Sequence, residues 1–157
     1  TVGRRLASRL GRQFIDSDEE IERAAQMTIP EIFEQRGEAE FRAGEMRVIS
    51  RLLKEEDIVL ATGGGAFVNA ETRALVKASA VSVWLKADLD VLFERVSRRS
   101  NRPLLQTADP KGTLEKLIAD RYPIYAEADV TVVSRDVQQD TVAADVIGAL
   151  LDHLKTR

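Results

Sequence analysis

The sequence predicts an α/β fold, a parallel sheet covered on both faces by helices, and three observations point to it. Ile58 to Ala61 is a short, continuous, β-branched run, the mark of a strand buried on both faces. Comparable apolar runs recur at Val81 to Leu85 and Val130 to Val133, with helical spacing between them, so strands and helices alternate. Helix-start residues follow the strand-like runs closely, as parallel crossovers require.

In chain order, Val2, Leu6 and Leu10 recur at helical spacing and predict a helix from Thr1 to Leu10, closed by a left-handed cap at Gly11. Gln13 to Asp16 reads as a strand. Ser17 with Glu20, and Thr28 with Glu31, are capping-box pairs that start two helices, and Gly37 ends the second. From Glu38 to Lys54, Phe41, Val48, Ile49, Leu52 and Leu53 mark one face of a longer helix. Gly63, Gly64 and Gly65 follow the Ile58 to Ala61 strand, and Asn69 caps a helix to Ala78. After the Val81 to Leu85 strand, Asp88 caps a helix bearing Val91, Leu92, Phe93 and Val96. Ser97 to Gly112 is arginine-rich, contains Pro103 and Pro110, shows no period, and is expected to be a mobile loop. Thr113 starts a helix to about Tyr122, and Asp140 caps a terminal helix reaching Leu154. The order gives one domain over residues 1–157.

Composition narrows the function. With 44% hydrophobic and 31% charged residues the chain has the balance of a water-soluble globular protein, and no apolar run approaches bilayer length. It has no cysteine and a single histidine, His153, expected to be exposed and without a role. Disulfides, thiolate sites and histidine-rich metal sites are therefore excluded, and any metal should be oxygen-ligated, such as Mg²⁺. A net charge of -3 argues against a nucleic-acid-binding face and for a small partner. Thr1 to Leu10 has no targeting character, so a cytoplasmic location is expected, and the helical spacing from the first residue predicts a segment upstream.

Ligands in such folds bind at the carboxyl ends of the strands, where Asp16 to Asp18, the glycines and the arginine loop all fall. Asp16 and Asp18 are spaced so that one can face a hydrated cation and the other a hydroxyl; acids favoured by a helix dipole give the same pattern. Gly63 to Gly65 either bring backbone N–H groups close to a ligand and permit positive φ, or form a bare turn. Arg95, Arg98, Arg99 and Arg102 suit phosphate, with a solvated helix end or a nucleic-acid patch as rivals, and Arg102-Pro103 in an irregular loop favours a lid. Arg42 and Arg121 are surface charges or salt-bridge partners unless their helices bring them together as a fork for a carboxylate.

Taken together these stretches resemble the shikimate kinase family over essentially the whole chain. The likeness is carried by Phe14-Ile15-Asp16-Ser17-Asp18 with Ile21-Glu22, by Ile29 to Phe33 with Gly37-Glu38, Phe41-Arg42 and Glu45, and by Leu60 to Ala66 as a Walker B region. Arg102-Pro103-Leu104-Leu105, then Arg121, Pro123 and Tyr125, complete it. The resemblance implies a three-layer P-loop kinase fold of the nucleoside-monophosphate-kinase type, with substrate-binding helices over 28–55 and a lid over 97–112. It implies transfer of the ATP γ-phosphoryl group to the 3-hydroxyl of shikimate, in chorismate and aromatic amino acid biosynthesis, by a monomer. Asp18 would hold and deprotonate the hydroxyl, and Asp16 would hold Mg²⁺ through its waters. Arg42 and Arg121 would grip the carboxylate, and Gly64 and Gly65 would line the substrate. Arg102 would reach the transferring group, and Arg95 would lie against the adenine, with Arg135 in the segment bordering its other side.

Two departures stand out. Gln26 occupies a position where the family usually has glycine. The G-x-x-x-x-G-K-[ST] loop and the strand before it are expected upstream of Thr1, and without them the chain as given is expected to be inactive. Rival readings are a P-loop kinase for gluconate or a nucleoside monophosphate, and a binding module that has lost nucleotide binding.

Overall fold

The computed structural model describes residues 1–87, 89–97, 109–134 and 138–156. These form α1 (Val2–Leu10), β1 (Gln13–Asp16), α2 (Ser17–Ala25), α3 (Ile29–Arg36), α4 (Glu38–Leu52), β2 (Ile58–Ala61) and α5 (Gly64–Val68). There follow α6 (Ala70–Ser79), β3 (Val83–Lys86), α7 (Leu89–Ser97), α8 (Pro110–Tyr125), β4 (Val130–Val133) and α9 (Gln139–Lys155). Every paired strand is parallel, but the sheet is present as two pairs, β1 with β2 and β3 with β4.

Helices cover β2 from both sides, as side-chain alternation along a strand shows. Leu60 packs with Ile15 against the core of Ile21, Ile32, Phe41, Val48 and Leu52 from α2, α3 and α4. Its neighbour Val59 points the other way, into a core of Leu6, Val130, Val132 and Val146, which also takes up Val83. That second core joins the two strand pairs beneath α1 and α9. Ala7 and Ala143 are completely or almost completely buried, which suits the close packing of α1 on α9. Arg5 and Arg9 reach Asp140 at 3.0 and 3.7 Å, yet these side chains are about half exposed and each pair contributes about 0 to 1 kcal/mol. Burial of one Val or Leu is worth roughly 1.5 to 3 kcal/mol, so the apolar seam dominates.

Most element ends follow local chemistry readable in the residues. Thr1 caps α1, Gly11 closes it at φ 65, both halves of the Thr28–Glu31 capping box are made, and Asn69 caps α6. Several ends differ from expectation. The cap of α2 is Asp16, whose extended backbone lets its carboxylate accept the Asp18 N–H at 2.9 Å, and Ser17 is fully buried. The third strand begins at Val83 because Ser82 is tied to the Asp129 carboxylate by its N–H at 3.0 Å. Helix α8 starts at Pro110, capped by Asp109, since proline at a first helical position loses no needed donor. It also continues through Pro123 to Tyr125 instead of ending near Tyr122. Gln138 is the residue before α9, with Asp140 in its first turn. His153 is half-buried in the last turn rather than exposed. The expected cap Asp88 lies outside the described residues. Among the described residues, no helix is long and apolar enough to cross a membrane.

Gln26 closes α2 in the left-handed region at φ 54, ψ 36. A Cβ there costs roughly 1 to 2 kcal/mol, partly offset by the larger backbone entropy glycine loses on folding. Gln26→Gly is therefore expected to raise the unfolding free energy by about 0.5 to 1 kcal/mol, seen as a higher urea midpoint at unchanged slope. A lower midpoint would mean that the glutamine side chain makes contacts worth more than the strain.

Candidate active site

The parallel register sets Asp16 beside Ala61, so the segments leaving β1 and β2 emerge together on one rim. One segment is the start of α2, carrying Asp18; the other is Thr62 to Gly65, leading into α5. The three glycines do not use positive φ, contrary to one expectation. Among the described glycines only Gly11 and Gly37 do, while Gly63 sits at φ -68, ψ 155 and Gly64 opens a short helix.

What the glycines provide is room. A Cβ on Gly65 would run into the Arg42 guanidinium, and one on Gly64 would lie 2.5 Å from the Tyr125 hydroxyl and 3.8 Å from Arg121 Nη1. A Cβ on Gly63 would sit 3.5 Å from Asp18 Oδ1, an ordinary contact. Asp18 from α2, Arg42 from α4, and Arg121 and Tyr125 from α8 therefore meet around three consecutive residues.

Arg42 is held along its own helix. Its Nη1 donates to Glu45 Oε1 at 3.0 Å, its Nη2 lies 3.6 Å from Glu38 Oε1, and its guanidinium is 5.1 Å from the centre of the Phe41 ring. The Glu45 side chain is only 3% exposed. Burial pushes the Glu45 carboxyl above its ordinary 4.5; the hydrogen bond and charge of Arg42 oppose the rise, the Asp18 carboxylate adds to it, and Arg121 opposes it. Those opposing influences all come from site residues, so Glu45 sits within the electrostatic reach of Asp18, Arg42 and Arg121.

On the other side, Tyr125 donates its hydroxyl proton to the Gly64 carbonyl at 2.8 Å. Burial pushes its phenol upward, against the pull of the nearby Arg121 and Arg42 guanidinium groups. The ring belongs to a cluster in which Trp84 lies 4.9 Å from Tyr122 and 5.7 Å from Tyr125, centroid to centroid. Tyr122 donates to the Ala87 carbonyl. At the far end of α5, Arg73 donates to the Phe67 and Val68 carbonyls at 3.1 and 3.3 Å and lies 3.6 Å from Glu127, just beyond α8. The glycine segment is thus tied to α8 at both of its ends.

Asp16 keeps one carboxylate oxygen on the Asp18 N–H and has lone pairs to spare. Among the described residues, no group of three carboxylate or imidazole side chains could cage a metal. Arg95 stands in α7. Arg98, Arg99, Arg102, Pro103, Leu104, Leu105, Arg135 and Asp136, and with them most of the 97–112 lid segment, lie outside the described residues.

Sequence reasoning assigned no role to Glu45 or Tyr125. A signal existed for the first, since Glu45 interrupts the apolar stripe of Phe41, Val48, Ile49 and Leu52, and a charge at a core position needs a partner. Tyr125 stands one turn after Arg121, but expecting the helix to stop before Pro123 hid that they share a face.

Comparison with known proteins points to one family. The shikimate kinase family model matches residues 1–151. The shikimate kinase of Bradyrhizobium diazoefficiens is 58% identical over 154 residues, covering 98% of this chain and 74% of that protein. That of Rhizobium leguminosarum bv. trifolii is 59% identical over 154 residues, covering 98% and 79%. Among solved structures, shikimate kinase from Acinetobacter baumannii in complex with shikimate superposes with a TM-score of 0.93 at 40% identity, over 96% of this chain and 85% of that one. The shikimate kinase of Aquifex aeolicus gives 0.83 at 31% identity, over 98% and 89%. With its family model, its relatives and its fold in agreement, this chain belongs to the shikimate kinase family.

Proposed function

We propose that the protein transfers the γ-phosphoryl group of ATP to the 3-hydroxyl of shikimate, giving shikimate 3-phosphate and ADP. The observation that carries the reading is the meeting of Asp18, Arg42 and Arg121 around Gly63 to Gly65. A carboxylate beside two guanidinium groups suits an acidic polyol: the guanidinium forks take the ligand's carboxylate, and Asp18 accepts a hydrogen bond from a ring hydroxyl. A cytoplasmic monomer acting on small anions goes with the same reading.

In phosphoryl transfer through a loose transition state, the protein mainly orients groups and neutralises charge. Asp18 holds the attacking hydroxyl and takes its proton late, so a carboxylate is basic enough. Arg42 and Arg121 fix the ring by its far end, which aims the hydroxyl. The lone pairs left on Asp16 fit a water-mediated contact to Mg²⁺, an ion that keeps much of its hydration shell. When bound, that ion would offset the negative charge of the phosphate oxygens. Arg102 is assigned to the transferring phosphoryl group, and Arg95 and Arg135 to the adenine.

Calorimetric binding tests the site directly. Arg42→Ala is expected to weaken shikimate about 10- to 100-fold, the loss of a charge-assisted hydrogen-bond pair, and to leave ATP affinity unchanged. Equal losses for both ligands would count against the assignment. With ATP as the phosphoryl donor, ADP release should require shikimate and fail with gluconate or a nucleoside monophosphate.

The glycines give a graded expectation. Gly65→Ala should expel the Arg42 guanidinium and match the shikimate loss of Arg42→Ala, whereas Gly63→Ala should change affinity less than about threefold because its Cβ meets only ordinary contact. Similar effects at both positions would contradict the packing described.

Glu45 sets a pH dependence. Its folded pKa is raised, so the native state binds this proton more tightly than the unfolded chain does. The resulting stability is complete below the ordinary 4.5 and is lost as pH rises through the folded value. Urea midpoints taken over about pH 4 to 8 should therefore fall less steeply above 4.5 in Glu45→Gln than in the unaltered protein. Identical slopes would show that Glu45 is not the titrating group.

A further inference from the structure

Tyr125 has a hydroxyl aimed into the site and no part in the chemistry assigned so far. A phenol has one proton to donate, and Tyr125 gives it to the Gly64 carbonyl at 2.8 Å. Its oxygen then has only lone pairs left for other groups, and Arg121, one helical turn away on α8, reaches the same place: a Cβ on Gly64 would lie 2.5 Å from the Tyr125 hydroxyl and 3.8 Å from Arg121 Nη1. The polarity of any contact between the two is therefore set: the guanidinium can only donate and the phenol oxygen can only accept, while the phenol proton goes to the glycine segment. The ring cannot swing freely, because Trp84 and Tyr122 pack on it at 5.7 and 6.1 Å. It can approach the Gly64 backbone this closely only because that residue has no Cβ.

We propose that Tyr125 is a positioning residue, its hydroxyl fixing the Arg121 guanidinium against the Gly64 segment and so setting the preference of the site for a carboxylate-bearing ligand. The inference rests on the shikimate kinase reading above and deepens it. A floating Arg121 would still attract anions, but it would lose the fixed fork that distinguishes a planar carboxylate from a neutral group of similar size. Tyr125 touches neither of the groups that react, so its effect falls on orientation.

The test compares shikimate with its methyl ester, which keeps the ring hydroxyls and lacks the negative charge. Both are titrated calorimetrically into the protein and its Tyr125→Phe and Arg42→Ala variants. Tyr125→Phe keeps the ring packing, so its melting temperature should stay within about 2 °C of the parent. Its affinity for shikimate should fall about five- to tenfold, the net worth of one typical hydrogen bond, and that for the ester less than about twofold. Equal losses for acid and ester would mark Tyr125 as a merely structural residue and overturn the proposal, as would an unchanged affinity for shikimate. If Arg42→Ala weakens shikimate while Tyr125→Phe does not, the proposal alone fails. If the unaltered protein binds neither ligand, the kinase reading falls and this inference falls with it.

Discussion

The site depends on a steric constraint: three consecutive residues without a Cβ stand where side chains from α2, α4 and α8 converge. The parallel pairing of β1 with β2 delivers Asp18 and the glycines to the same rim at the same height. Packing then decides which groups can join them. At Gly64 and Gly65 a methyl group would overlap the Tyr125 hydroxyl and the Arg42 guanidinium, so those groups could not keep their places. The glycines are best understood as seats for site side chains, and their conformational freedom is incidental.

Polar groups so arranged stay in place because apolar packing stands behind them. Arg42 lies beside Phe41, itself buried and 4.7 Å from Phe33 in the core under α2, α3 and α4. On the same helix as Arg121, Tyr125 is braced by the Trp84 and Tyr122 rings, which connect α8 to the second strand pair. Each half of the proposed carboxylate fork therefore has a different foundation, one in each group of strands. Movement of α8 relative to α4 would open the fork without disturbing either foundation.

Much of this was legible in the residues, for identifiable reasons. The strands Gln13–Asp16, Ile58–Ala61 and Val130–Val133 occur at the expected bounds, because short apolar runs between strong turn signals leave little choice. The Thr28–Glu31 box, the Asn69 cap and the Gly11 stop depend on contacts within a few residues, which sequence exposes. Errors arose where a long-range partner decided. Asp129 holds Ser82 and moves the start of β3, and α8 continues past Pro123, where Tyr122 is fastened to Ala87 and Tyr125 to Gly64. The strands are parallel as expected, and the two pairs are joined through the side chains of Val59, Val83, Val130 and Val132. Asp18, Arg42 and Arg121 could be named from their motifs, but their meeting at the glycines follows from packing that no local pattern records.

Glu45 shows how the fold trades stability for orientation. Removing a carboxylate from water costs several kcal/mol, and an ion pair in the interior often fails to recover that cost. An apolar residue would continue the stripe of Phe41, Val48 and Leu52 more favourably. Yet Glu45 is the group that takes one guanidinium nitrogen of Arg42, while Glu38, well exposed at the rim, lies at only 3.6 Å from another. The inner bond is buried and durable, and the outer one is wet and weak. On the proposed reading, an incoming carboxylate would displace the outer partner at little cost while the inner one keeps the guanidinium plane from turning. A site with two weak partners would bind anions without aiming them, and one with two strong partners would leave no donor for the ligand.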